Sequence, residues 1–477
     1  MLFSSNLFLF VFLPLFLICY FAVRSIVLRN IVLLGFSLLF YAWGEPYFVW
    51  IMLGVIVVNW ACVPALARGS RLALAGVVTF DLGVLVVAKY TDFVIVNINL
   101  LTGSAIAQTG IALPLGVSFF CFQAISFAVD TWRGAAAPER RLVNVALYIA
   151  MFPQLVAGPI VRFSTVARHL DHRIHTLMRA SLGARIFMLG MAQKVLIANE
   201  VGRAADVAFS LGPSLDTGEA WIGLSAYTLQ IYYDFAGYSN MAIGLGLICG
   251  FMFPRNFRLP YTARSVTEFW RRWHISLSRW FRDYVYIPLG GNRRGGARTG
   301  FNLMAVFLLC GLWHGAALGF LVWGLHHGLF LLFERYWYGK RLAGWPPYLR
   351  QAYCLLAVMA GWVWFRAESL PEALQYFTAL GGAVGDGAFD AEMTRAIIPY
   401  WYVAFGVGAV LAIVPAHVWR RAWNRPVARI SGLINSDRIG AASIVLFIDG
   451  TMALILFSLS IILLGGGAYN PFLYFRF

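Results

Sequence analysis

The sequence has little charge. Of its 477 residues, 12% are Asp, Glu, Lys or Arg, whereas 60% are apolar and 16% are aromatic. Soluble domains carry about a quarter of their residues as charged side chains, so this composition excludes an ordinary soluble enzyme. The acidic sign is the scarcer one, with 21 Asp and Glu against 37 Lys and Arg.

Cysteine is also scarce, and no two cysteines are close in sequence. The six are Cys19, Cys62, Cys121, Cys249, Cys310 and Cys354. This scatter predicts neither a disulfide framework nor a zinc site. The sequence also shows no soluble domain, no low-complexity stretch and no internal repeat, so we expect a single membrane domain over residues 1–477.

Long apolar runs are abundant. A membrane-spanning helix needs about 20 mostly apolar residues, and we expect roughly ten to twelve of them here. Examples are Asn6–Val23, Asn30–Trp43, Tyr47–Ala67, Leu72–Ala88 and Ala441–Gly465. The first run has no basic n-region and no small-residue cleavage site, so we interpret it as a membrane helix and not a signal peptide. The predicted fold is an all-α, polytopic transmembrane bundle.

The formal charge of +16 fits a membrane protein without invoking nucleic acid. Basic residues lie in short loops between apolar runs, where they mark the cytoplasmic side. Arg24 and Arg29 follow the first run, and Arg68 and Arg71 follow the third. By parity these loops share a side, which we expect to be cytoplasmic, with the N-terminus periplasmic.

Two apolar stretches are interrupted by glycine, proline or polar residues, namely Phe152–Pro159 and Tyr232–Ser239. Irregular backbone at membrane depth is tolerated only inside protein or along a wet cavity. We therefore expect re-entrant or broken segments there, around an internal site.

The stretch Ser265–Val285 is amphipathic. Ser265 and Glu268 have capping-box spacing at its start. Aromatic residues recur at three- and four-residue steps and arginines fall on the opposite face, which is typical of an interfacial helix. His274 lies at the edge of the aromatic face, where it can point into the protein.

His314 is the first candidate for chemistry among eight histidines. It ends the apolar run Phe301–Leu312, where burial would keep its imidazole neutral and able to accept a proton. Intramembrane ionisable residues are functional candidates. The alternative is a core histidine hydrogen-bonded to a backbone carbonyl.

Metal binding is not expected. His326 and His327 follow His314 by twelve and thirteen residues, which is not the i, i+4 spacing of paired ligands on a helix. The other histidines fit no better.

Three histidines recur every three residues in a polar segment: His169, His172 and His175. We therefore predict that they lie on a solvated helix face. Cys310 precedes His314 by four residues, which allows a Cys–His pair, although a small packing residue is the preferred interpretation.

Two further groups have open alternatives. Asp234 lies among aromatic residues, where an unpaired carboxylate would be costly, so it is either a helix-packing partner or a residue that orients a histidine. Arg293 and Arg294 lie in a glycine-rich loop, either as phosphate ligands or as a cytoplasmic turn.

Three blocks, Gln230–Gly246, Pro260–Gly291 and Gly311–Gly328, resemble the signature blocks of the membrane-bound O-acyltransferase family, and the resemblance is closest to its bacterial alginate O-acetyltransferase branch. It runs nearly end to end through shorter motifs at Phe3–Asn6, Tyr41–Trp43, Leu155–Pro159, Gly361–Arg366 and Phe472–Phe477. Ala236 and Asn240 depart from it, since this branch commonly has serine and aspartate there.

The resemblance implies a bundle around a central tunnel, with His314 catalytic and His274 the second candidate near the cytoplasmic mouth. Other residues of the blocks are candidate orienting or tunnel-lining groups: Asp234, Asn240, Trp313 and Tyr238. Acetyl-CoA is the expected acyl donor, without a tightly bound cofactor. Its phosphates are expected near four arginines: Arg271, Arg272, Arg293 and Arg294.

The expected function is transfer of an acetyl group from a cytoplasmic thioester across the bacterial inner membrane. In the resembling systems a separate extracytoplasmic protein completes the transfer to a polysaccharide, here expected to be alginate. Open alternatives are peptidoglycan, another exopolysaccharide, or D-alanyl transfer to teichoic acid. A transporter without covalent chemistry is the alternative of another class, although no inverted repeat supports it.

Overall fold

The structure, a computed structural model, describes residues 1–111, 114–156, 158–382, 390–415, 418, 438–467 and 469–471. The predicted motif residues Ala157 and 472–477 lie outside these ranges. The described residues form helices and no β-strand, which confirms the all-α prediction.

The α-helices are numbered in chain order. They are α1 Leu13–Ala22, α2 Ile26–Gly44, α3 Val49–Ala67, α4 Arg71–Thr102, α5 Val117–Trp132, α6 Leu142–Ala150, α7 Phe152–Leu155, α8 Phe163–Asp171, α9 Leu177–Ala192, α10 Asn199–Ser210, α11 Thr217–Ile248, α12 Val266–Arg272, α13 Ile275–Phe281, α14 Gly295–His314, α15 Leu318–Phe333, α16 Gly339–Ala343, α17 Pro347–Arg366, α18 Leu370–Leu380, α19 Ala391–Ala396, α20 Pro399–Ile413 and α21 Arg438–Gly465. π-helical turns occur at Phe8–Phe12, Gln193–Ala198, Arg282–Tyr286 and Glu334–Tyr338, and 3₁₀ turns at Gly212–Ser214 and Pro260–Thr262.

Within the described residues, six helical segments are long and apolar enough to cross a membrane. They are Ile26–Gly44, Val49–Ala67, Arg71–Thr102, Leu177–Ser210, Gly295–His314 and Phe447–Gly465. Shorter apolar helices cover Phe8–Ala22, Val117–Trp132 and Pro399–Ile413. These helices confirm a multi-pass membrane protein, while ten to twelve crossings remains a prediction.

Helices α9 and α11 pack closely through glycines. A Cβ atom on Gly190 would lie 2.6 Å from the carbonyl oxygen of Gly237, and one on Gly244 would lie 2.5 Å from that of Gly183. Small residues allow such close approach between membrane helices. This contact fixes α11, which carries Asp234, against its neighbour.

The prediction of broken backbone is wrong for Tyr232–Ser239, which lies inside the uninterrupted helix α11. Its polar and small residues serve helix packing instead: Gly237 faces α9, and Asp234 pairs with Lys194. The prediction holds for Phe152–Pro159, where α7 ends at Leu155 and Pro159 is non-helical.

The single amphipathic helix predicted over Ser265–Val285 is also wrong, because the chain breaks between α12 and α13. His274 at the break has a φ of 43°, a left-handed conformation unusual for a residue with a side chain. Ser265 does cap α12 by accepting from the Glu268 N–H at 3.0 Å. The reciprocal half of the capping box is replaced, since the Glu268 carboxylate accepts from the Arg264 N–H.

Candidate active site

His314 is the last residue of α14. The residue is 7% exposed, against 1% for His274 and 0% for His327. The apolar, helix-forming run before it places it deep in the protein, and Gly315 caps the helix end. Among these three histidines, His314 is therefore the least buried.

The break at His274 is held by a neighbouring loop. The backbone carbonyl of Asn256 accepts from the Ile275 N–H at 2.9 Å, and its side-chain oxygen accepts from the Ser276 N–H and hydroxyl at 3.2 and 2.5 Å. These bonds satisfy the first donors of α13, which would otherwise be orphans. The loop thus stabilises the left-handed backbone of His274, which turns its side chain inward.

The two histidine rings meet at the centre of an aromatic cluster. Their centroids are 6.3 Å apart. Trp313 lies 4.9 Å from His314 and 6.0 Å from His274, while Trp323 and Phe365 approach His314 edge-on at 5.1 and 5.2 Å. The structure therefore brings His314, His274 and Trp313 together.

Both nitrogens of the His274 ring are buried and lack a hydrogen-bond partner among the described residues. The same is true of the indole nitrogen of Trp313. Buried polar groups are rarely left unsatisfied, and exceptions in a cluster mark functional sites. Burial lowers the pKa of His274, so this ring is neutral.

Two residues that the sequence interpretation missed, Lys89 and Tyr90, hold the end of α14. The Lys89 ammonium donates to the carbonyls of Trp313 and His314 at 2.6 and 3.0 Å, and the Tyr90 hydroxyl donates to that of Leu312. The last carbonyls of a helix lack intrahelical partners, and a cation there also complements the helix dipole. The sequence contained a signal for Lys89, because this ionisable residue directly follows the apolar run Leu72–Ala88 and ionisable residues at membrane depth are functional candidates.

A cavity of about 540 Å³ lies beside the histidines. Its lining includes Trp270, Phe307 and Cys310, which precedes His314 by one helical turn. His314 itself is not among the lining residues. Trp270, which lines the cavity, contacts Trp323 at 5.6 Å, and Trp323 contacts His314 at 5.1 Å. The cavity of the described residues therefore does not reach His314, and the through-going tunnel remains a prediction.

The cavity has a basic lining. Of the four predicted phosphate-binding arginines, Arg271 lines it, whereas Arg293 and Arg294 are exposed in their loop. Arg272 is occupied by Glu268 at 2.5 Å and by Thr262. Three arginines not predicted also line the cavity, namely Arg282, Arg335 and Arg350.

Glu334, another missed residue, fixes α12 beside this cavity. Its carboxylate accepts from the backbone N–H groups of Val266 and Thr267 at 2.6 and 2.9 Å and from the Thr267 hydroxyl at 2.6 Å. A carboxylate at a helix N-terminus satisfies orphan donors and complements the dipole. The cap ties the helix that carries Arg271 to the end of α15.

The candidates on α11 lie in other contacts. Asp234 forms a buried ion pair with Lys194 at 2.7 Å, and its neighbour Phe235 packs on His274 at 4.6 Å. Tyr238 stacks on Phe3 at 4.4 Å, and Asn240 donates to the Gln193 side chain at 2.8 Å. Asp234 is therefore a helix-packing partner of Lys194. Its possible role in orienting a histidine, like the roles of Tyr238 and Asn240, remains a prediction.

Among the described residues, no three His, Cys, Asp or Glu side chains are grouped closely enough to hold a metal ion. His326 lies 2.8 Å from the carbonyl of Ala357, and the buried His327 packs on Trp270 at 5.1 Å. The predicted solvated helix face is wrong for His175, which lies in the loop after α8 between Tyr20 and Arg29.

Comparison with known proteins identifies the family of this chain. The profile of the membrane-bound O-acyltransferase family matches residues 139–369. Together with full-length relatives, this match shows that the chain belongs to the membrane-bound O-acyltransferase family and is an O-acyltransferase.

Among its relatives, a probable alginate O-acetylase of Azotobacter vinelandii is 40% identical over 100% of both chains. That of Pseudomonas aeruginosa is 38% identical, again over 100% of both chains. A peptidoglycan O-acetyltransferase of Helicobacter pylori is 33% identical over 81% of this chain and 80% of that protein.

Proposed function

We propose that this enzyme takes an acetyl group from a cytoplasmic thioester and delivers it for O-acetylation of an exported polysaccharide of the alginate type. The observation that carries this proposal is the His314–His274 pair beside a cavity lined by four arginines. The names of the full-length relatives support the acceptor.

His314 is the proposed general base. It takes the proton from the attacking hydroxyl of the acceptor as the oxygen of that hydroxyl bonds to the carbonyl carbon of the thioester. The carbon–sulfur bond then breaks, and the thiolate leaves with a proton, which the His314 imidazolium can return. Proton transfer by a positioned side chain contributes typically 10²–10⁴-fold to rate.

The cavity is the proposed donor site. Acetyl-CoA is the proposed donor because guanidinium groups form strong charge-assisted bonds with phosphates. Arg271 and Arg335 are suited to this role, with the thioester directed past Trp270 towards His314. Movement of Trp270 would open the remaining path.

The enzyme is proposed to act in the bacterial inner membrane, with the N-terminus periplasmic. A separate extracytoplasmic protein is the proposed partner that completes transfer to the polymer.

The test is the acetyl content of alginate from a producing strain that lacks its own membrane acetylase and carries this gene. We expect acetylation to be restored by the native protein and by His172→Ala, which changes an exposed histidine in the loop after α8. His314→Ala at equal membrane abundance is expected to give no acetylation. Acetylation of peptidoglycan, with alginate unmodified, would assign a different acceptor.

A further inference from the structure

A basic cluster lies where the first turns of α2 and α9, the loop after α8 and the end of α11 meet. It consists of Arg29, Arg173, His175 and Arg179. The Arg29 guanidinium lies 2.9 Å from His175 Nδ1, which must accept, so Nε2 carries the proton and donates to the Tyr20 hydroxyl at 3.0 Å. The imidazole is therefore held as one neutral tautomer between a cation and a tyrosine.

None of the three arginines forms an ion pair with a carboxylate in the part of the chain that the structure describes. The pKa of His175 falls to about 4 because burial and the charges of Arg29 and Arg173 disfavour its protonation. Cations gathered without counter-charges repel one another, so an anion from outside would stabilise the cluster.

Arg173 is the most buried cation of the cluster. It is 8% exposed and lies over the ring of Phe251 at 4.4 Å. Its Nη1 donates to the carbonyl of His169 at 3.2 Å, and the Tyr20 hydroxyl lies within hydrogen-bonding reach of its guanidinium. Neither contact supplies a negative charge, and a phosphate matches the fork of donors of a guanidinium.

The N-terminus of α9 adds to the positive potential. Its Thr176 cap accepts from the Arg179 N–H, and the first turn carries no acidic residue. The free N–H groups and dipole of a helix N-terminus favour an anion.

The surface beside the cluster is apolar and exposed. Ile174, Leu177 and Met178 are 61%, 88% and 78% exposed. Apolar side chains next to basic ones are typical of a segment at the membrane boundary, with arginines at headgroup level and apolar side chains among acyl chains. A soluble phosphate compound would satisfy the arginines and leave these side chains in water.

We propose that the basic cluster and the N-terminus of α9 bind the headgroup phosphate of an anionic phospholipid. The loop between α1 and α2 belongs to the side expected to be cytoplasmic, where anionic lipids attract basic segments. This site is separate from the acyl-transfer site and does not depend on the acceptor polymer. It ties α1, α2, α9 and α11 together at one membrane surface.

The experiment compares thermal unfolding of the full-length protein in nanodiscs of phosphatidylglycerol and of phosphatidylcholine. We expect a higher midpoint in phosphatidylglycerol for the native chain and for Arg68→Gln/Arg71→Gln, which removes two positive charges from exposed arginines elsewhere. The double variant Arg29→Gln/Arg173→Gln is expected to lose this difference. Inorganic phosphate added to the phosphatidylcholine sample is expected to give no increase.

A second variant covers failure of the double variant to fold. Leu177→Asn/Met178→Asn changes exposed side chains and is expected to fold and to reduce the phosphatidylglycerol effect. An equal loss in Arg68→Gln/Arg71→Gln, an undiminished effect in both of the other double variants, or full reproduction by inorganic phosphate would overturn the proposal.

Discussion

At the scale of single residues, the backbone at His274 separates two roles of that histidine. A left-handed φ costs an ordinary residue on the order of 1–2 kcal/mol, whereas asparagine adopts it more readily. The Asn256 contacts hold this conformation, so the residue shapes the break as well as supplying a ring.

We therefore expect His274→Asn to retain more thermal stability than His274→Ala while both lose acyl transfer to the same extent. Unfolding midpoints and transfer rates on the purified variants check this. Activity that followed stability across the two variants would show that His274 acts through the fold alone.

At the scale of elements, the end of α14 depends on side chains from α4. Lys89 and Tyr90 satisfy three consecutive carbonyls at Leu312, Trp313 and His314. An unsatisfied carbonyl inside a membrane costs several kcal/mol, so loss of this cap would let the last turn move. Displacement of a reacting group by about 1 Å can cost about 10²-fold in rate.

Lys89→Met is expected to lower kcat by about 10²-fold with little change in the KM for the donor, because donor binding does not use the cap. Tyr90→Phe removes one of the three bonds and should have a smaller effect. Ser70→Ala removes the N-terminal cap of the same helix and serves as the control, with stability lowered and kcat per folded enzyme retained. A KM effect alone would contradict this role of Lys89.

At the scale of the whole molecule, the proposed donor site is the arginine-lined cavity. Arg271 and Arg335 line it, while Arg293 lies in the exposed loop.

Removing one charge-assisted phosphate contact costs about tenfold in affinity. Arg271→Gln and Arg335→Gln should each raise the KM for acetyl-CoA by about tenfold, with kcat near native, and Arg293→Gln should leave both unchanged. Steady-state kinetics at fixed ionic strength measure this, and an effect confined to Arg293→Gln would place the donor elsewhere.

The apolar runs and the signature blocks predicted the membrane fold, the family and the burial of His314, because these depend on composition and local pattern. The break at His274 was missed because the three- and four-residue spacing of aromatics continues across it. The Lys89 cap joins residues 225 positions apart, and the Lys194–Asp234 pair joins two different helices. For neither contact does a local sequence pattern identify the partner residue.

The most direct test of the central claim is acetyl transfer from labelled acetyl-CoA by purified protein in vesicles, with the partner protein and acceptor oligosaccharide present. We predict that His314→Ala lowers the transfer rate by about 10²–10⁴-fold while His172→Ala matches the native enzyme. Native transfer by a folded His314→Ala protein would contradict the assignment of this imidazole as the base.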